Sequence, residues 1–114
     1  MAVGGSCYDE DVMDGDTVDT FRHWRENIAK ADLWNVLPVV TGSLAFANAY
    51  AGLVDLVFID GDHDPDAIVA DYMAWKRATT IAFHDAPLCE AACKAAEEDG
   101  RKLVSSVRSL RVYR

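Results

Sequence analysis

Residues 54–64 read VDLVFIDGDHD and residues 79–87 read TTIAFHDAP. In the first stretch, five apolar residues between Val54 and Asp60 follow with almost no polar alternation. Strands covered on both faces look like this, and parallel sheets flanked by helices provide that cover. The second stretch repeats the pattern over Thr79–His84. Both runs end abruptly in charge, at Asp60 and at His84-Asp85. Between them, Asp64 suits a helix N-cap and Pro65 the first helical position. The spacing predicts a helix to about Lys76, with Ile68, Tyr72 and Trp75 facing inward. Strand, helix and strand in this order imply a parallel pair.

Working outward from this unit, Val18, Phe21, Trp24, Ile28 and Ala31 share one face of a helix starting near Asp16, with Asp16 or Thr17 as its cap. Residues 1–15 read as loop. Asn35–Val40 is a short apolar run ending at Gly42 and suits a buried strand, and Ser43 can cap a helix over Leu44–Tyr50. Downstream, Pro87 opens a helix with Leu88, Ala91, Ala92, Ala95 and Ala96 on one stripe. Gly100 ends it as a left-handed residue. Lys102–Val107 and Leu110–Arg114 alternate about a short turn and read as an antiparallel hairpin at the sheet edge. The expected architecture is one α/β domain of mostly parallel sheet with helices on its faces.

The 114 residues include 19 acidic and 11 basic side chains, for a net charge of −8. That balance argues against nucleic acid and anionic membranes as partners. The acids of Asp9–Asp19 read as a solvated loop. Cys7, Cys89 and Cys93 make no disulfide framework. No apolar run is of membrane-spanning length and the start lacks a signal-peptide pattern, so a cytoplasmic protein is expected.

Sites in parallel α/β sheets lie beyond the carboxyl ends of the strands. Asp60, His84 and Asp85 should therefore converge, with Asp62 and His63 on the loop beside them. Two carboxylates and an imidazole suit a divalent cation. Alternatively Asp60 or His84 acts as a general base without metal. The plainer reading is that these polar residues cap neighbouring helices. Cys89 and Cys93, one helical turn apart near His84, could hold zinc, although a buried inert pair in an alanine-rich helix explains them better. His23 reads as a surface or satisfied histidine. Trp34 suits either a pocket wall or helix-to-strand packing, and Arg108, Arg111 and Arg114 decorate the edge hairpin.

Residues 54–75, VDLVFIDGDHDPDAIVADYMAW, followed by TTIAFHDAP resemble the second half of class I S-adenosylmethionine-dependent methyltransferases. The similarity is to the branch of macrocin O-methyltransferase-like and cephalosporin-hydroxylase-like proteins, and it covers about residues 20–114. It implies a partial Rossmann-like three-layer sandwich, S-adenosylmethionine as cofactor, magnesium or manganese as metal, and a small-molecule hydroxyl as methyl acceptor. On that resemblance Asp60 is a metal ligand and, with His84, catalytic. His84 and Asp85 complete the metal set. Gly42, Ser43, Asp60, Asp62 and His63 border the cofactor.

The full fold begins with a strand, a glycine-rich turn and a helix. Ala2-Val3-Gly4-Gly5-Ser6 stands too near the start to supply them. Without the first strands, Val54–Asp60 keeps an open apolar edge, to be covered by Asn35–Val40, by a partner chain that supplies the missing half or by a second copy, or else left open in a truncated remnant. Two rival functions follow. One is a metal-dependent hydrolase of phosphoesterase type, although no histidine follows His84 to complete such a site. The other is a non-catalytic fragment that works by association.

Overall fold

A computed structural model describes residues 13–14 and 17–114. The chain falls into two compact units, Val3–Val40 and one made essentially of Thr41–Arg114. Cys7, Gly4-Gly5 and most of the Asp9–Asp19 acids lie outside the described residues.

In the first unit, two-residue strands β1 (Met13–Asp14) and β2 (Thr17–Val18) pair antiparallel, where a loop and a helix start were expected. Helix α1 spans Thr20–Lys30. Asp19, rather than Asp16 or Thr17, is its cap: its carboxylate accepts from the Arg22 amide at 2.9 Å. Phe21 and Trp24 stack at 6.2 Å, one turn apart. The expected strand over Asn35–Val40 does not form. Pro38 lacks an amide for a ladder, no strand among the described residues pairs with the segment, and Leu37, Val39 and Val40 are exposed. Trp34 is 88% exposed, so neither a pocket wall nor helix-to-strand packing is built on it among the described residues.

The second unit holds helix α2 (Ser43–Ala49), strand β3 (Leu56–Ile59), helix α3 (Pro65–Trp75), strand β4 (Thr80–Phe83), helix α4 (Glu90–Glu98) and strands β5 (Leu103–Val107) and β6 (Leu110–Tyr113). The sheet order is β3-β4-β6-β5. β3 and β4 are parallel, with Ile59 opposite Phe83. β6 joins β4 antiparallel, and β5 lies outside it. The hairpin therefore adds two strands, and Arg111 stands on the inner one rather than at an edge. This is a partial Rossmann-like α/β fold.

Register fixes the two faces, because residues directly opposite share a side. Val57, Ile59, Ile81, Phe83 and Tyr113 occupy one face. That face carries the core with Ile68 and Tyr72 of α3 and Ala92, Cys93 and Ala96 of α4. Complete burial of a side chain the size of Ile68, Ile81 or Phe83 contributes about 1.5–3 kcal/mol. The tyrosine hydroxyls in this core are satisfied: Tyr72 donates to Asp99 at 2.7 Å and Tyr113 to Glu97 at 3.0 Å. The opposite face of β3 is uncovered, with Leu56 58% and Phe58 56% exposed. The expectation of burial on both faces thus fails for β3, which is also an edge strand.

Several local signals hold. Asp64 caps α3 through the Ala67 amide, with Pro65 at the first position. Gly100 adopts φ +87°, and the Arg101 amide reaches back to the Ala96 carbonyl, closing α4. Arg101 then clamps the end of α3 by donating to the carbonyls of Lys76, Ala78 and Thr79. Ser43 does not cap α2. Gly42 is the cap residue, and the Ser43 hydroxyl instead accepts from the Trp75 indole at 2.8 Å. After β4, a short 3-10 turn over Ala86–Leu88 precedes α4, so Leu88 leaves the expected apolar stripe and is 60% exposed.

Candidate functional site

The parallel register of β3 and β4 decides where the site lies. Ile59 and Phe83 stand opposite each other as the last strand residues, and the His84 amide donates to the Ile59 carbonyl at 3.1 Å. The next residue of each strand, Asp60 and His84, must then emerge side by side. His84 Nδ1 lies 3.0 Å from Asp60 Oδ1. The same nitrogen lies 3.3 Å from Asp85 Oδ2. Phe58, two residues before Asp60, flanks the His84 ring at 6.0 Å.

Asp85 reaches this point through its backbone. It has φ +53°, the left-handed region that non-glycine residues enter at a cost, Asp and Asn less than most. The sharp turn folds its carboxylate back over His84. It also brings Asp85 Oδ2 to 3.6 Å from His63 Nε2, on the loop after β3. That nitrogen is buried and has no hydrogen-bond partner.

Helix capping does not account for the cluster. Asp64 alone caps α3, and Asp85 precedes the 3-10 turn without a side-chain cap bond. Asp62 is the residue given to local structure: its carboxylate accepts from the Asp64 amide at 2.9 Å and shapes the loop.

Asp60, His84 and Asp85 each offer one ligand atom, all within 4.8 Å of one another. The donor set fits a divalent cation. Metal–oxygen bonds of about 2.1 Å put neighbouring ligands of an octahedron roughly 3 Å apart, close to the spacing about His84 Nδ1. Hard carboxylates with one imidazole suit magnesium or manganese.

The cysteine alternative does not share this geometry. Cys89 and Cys93 are buried free thiols, and Cys89 donates to the His84 carbonyl at 3.3 Å. Burial first, and then the neighbouring Cys93, push the Cys89 thiol up to about 11, away from the thiolate that zinc requires. Its bond instead supports the backbone of the His84-Asp85 turn. His23, in the first unit, is half-buried with an unpartnered Nε2, so the expected satisfied or surface histidine is not what stands there.

The profile of a methyltransferase domain family matches residues 4–86, well over half of the chain. The chain belongs to this family. No curated protein matches it. In this methyltransferase domain the matched span includes Asp60, His63, His84 and Asp85, and it ends before α4 and the hairpin. It also begins well before residue 20, where the sequence resemblance starts.

Gly42 and Ser43 lie apart from the cluster. Ser43 contacts Trp75, at the opposite end of α3 from the Asp64 cap, and eleven residues of helix span roughly 16 Å. The signal under-read in the sequence is His63. Its place three residues after Asp60 was legible, but its approach to Asp85 depends on the left-handed turn.

Proposed function

We propose that this methyltransferase domain transfers a methyl group from S-adenosylmethionine to a hydroxyl of a small molecule, as in the macrocin O-methyltransferase-like and cephalosporin-hydroxylase-like branch. Asp60, His84 and Asp85 would hold a magnesium or manganese ion. The observation that carries this reading is His84 Nδ1 within 3.0 Å and 3.3 Å of two carboxylates at the ends of parallel strands, in a chain of this family. When bound, the cation supplies positive charge that lowers the pKa of an acceptor hydroxyl.

The remaining work falls to side chains. Asp60 and His84 orient the acceptor at the strand ends. On this reading Asp60 takes the hydroxyl proton. The acceptor oxygen then forms its bond to the methyl carbon as the carbon–sulfur bond breaks, and sulfur keeps the electron pair. Alignment of the three atoms is the main contribution of the protein. Asp60, Asp62 and His63 border the cofactor on this reading; Gly42 and Ser43 join them by resemblance alone. A cytoplasmic location belongs to the same reading, and no helix among the described residues is long and apolar enough to cross a membrane.

One observation favours a second reading, a non-catalytic role through association: β3 is an open edge with Leu56 and Phe58 exposed. Calorimetric titration of the full chain with S-adenosylmethionine, with and without magnesium, separates the two. Saturable binding is expected. Flat titrations in both arms would remove the methyl donor from the reading and favour association.

A further inference from the structure

The loop between β3 and α3 aims one imidazole at the site. Asp62 accepts from the Asp64 amide at 2.9 Å and Asp64 caps α3, so His63 stands between two residues whose carboxylates fix the turn. Its side chain is 32% exposed, but the polar tip points inward. Nε2 is buried, lies 3.6 Å from Asp85 Oδ2 and has no hydrogen-bond partner. Burial of a ring nitrogen without a partner costs stability, although the rest of the ring reaches solvent. An ionised carboxylate only accepts, so the nitrogen that faces it is favoured in the form that carries hydrogen. His63 is thus aimed at Asp85 as a donor, a few tenths of an ångström beyond a full hydrogen bond.

A bound cation would make this donor necessary. Among the described residues the Asp85 carboxylate has ion-pair partners in His84, at 3.3 Å, and in His63. A metal takes the lone pair of the imidazole nitrogen that binds it. A His84 that ligates through Nδ1 carries no hydrogen there and can donate to neither Asp60 nor Asp85. Carboxylates that bind metals keep their orientation through hydrogen bonds from outside the coordination sphere. Asp85 sits on a left-handed turn with its side chain 39% exposed. With His84 engaged by the ion, His63 is the side chain left to hold it.

We propose that His63 is a positioning residue for the cation site: its Nε2–H donates to the Asp85 carboxylate and holds it toward an ion bound by Asp60, His84 and Asp85. This rests on the metal-assisted reading and adds to it the residue that organises the third ligand.

Manganese titrations of the full chain compare the wild type with His63→Leu, which removes the donor, and His63→Gln, which keeps an N–H at similar reach. His63→Leu is expected to bind manganese about tenfold more weakly. His63→Gln should recover most of that loss. Without metal, the melting temperature of His63→Leu should hold or rise, because an unpartnered buried nitrogen is gone. Electron spin-echo spectra of saturating manganese should show the same histidine nitrogen coordination in the wild type and in His63→Leu. Equal affinity in all three chains, an equal loss in both variants, or a large fall in the metal-free melting temperature of His63→Leu would each overturn the proposal. A coordinated nitrogen that disappears with His63 would overturn it too, by making His63 a ligand itself. A wild type that binds no manganese would remove the metal-assisted reading along with the proposal, whereas equal affinities would leave that reading standing.

Discussion

At the scale of single residues, Asp85 carries opposing demands. Its left-handed backbone costs stability, and its carboxylate is the third member of the cluster. Its contacts with His84 and His63 are partly exposed and contribute about 0–1 kcal/mol. Glycine takes the same φ without strain, a gain of up to about 1 kcal/mol. Asp85→Gly is therefore expected to leave the melting temperature unchanged or slightly higher while weakening manganese binding at least tenfold. Asp85→Asn, which tolerates the left-handed region and keeps one oxygen donor, should fall between. Thermal melts and a manganese titration on the same samples check both halves. A large loss of stability in Asp85→Gly would mean that the carboxylate holds the turn together and is not poised for a ligand.

Glycines show how element ends divide into those that need the residue and those that do not. At Gly100 a Cβ would meet nothing within 4 Å, yet φ +87° closes α4, so Gly100→Ala should cost about 1 kcal/mol through the backbone alone. Gly42 also has open space and a φ of −69° that suits any residue, and as the N-cap of α2 it can give way to serine, so Gly42→Ser should stay within a few tenths of a kcal/mol. Urea denaturation of the two variants decides this, and equal costs would refute the backbone argument. The helix start at Asp64-Pro65 and the stop at Gly100 were legible because local chemistry alone produces them. So was the convergence of Asp60 with His84-Asp85, since parallel pairing of two neighbouring strands leaves no other outcome. Asn35–Val40 was not legible: apolar composition says that a segment can be buried, and only a neighbouring strand can make it a strand. The Ser43 cap failed for a similar reason, because the partner that claims its hydroxyl, Trp75, is 32 positions away. The open face of β3 was likewise invisible, since an unbroken apolar run cannot say whether a second layer will arrive to cover Leu56 and Phe58.

For the whole molecule, the charge of −8 and the placement of the cluster make a joint prediction. Asp60 ends β3, His84 and Asp85 follow β4, and the Ser109 carbonyl links that turn to the β5–β6 hairpin. A cation held there would join elements at the rim of the four-stranded sheet and reduce repulsion among the surrounding carboxylates. A ligand that binds only the folded chain stabilises it by mass action, about 2.7 kcal/mol at a hundredfold excess over its Kd. For a unit of this size each kcal/mol moves the melting temperature by about 4–8 °C. Saturating manganese should thus raise it by on the order of 10 °C, and a chelator should reverse the rise. Sodium chloride at matched ionic strength separates screening from binding, because screening acts on every surface carboxylate and a specific site does not. Asp85→Gly should lose about half of the manganese shift or more and retain the salt response. If manganese and matched salt shift wild type and variant equally, the carboxylates act as a diffuse acidic rim, and the close approach of three ligand atoms about His84 is not a metal site.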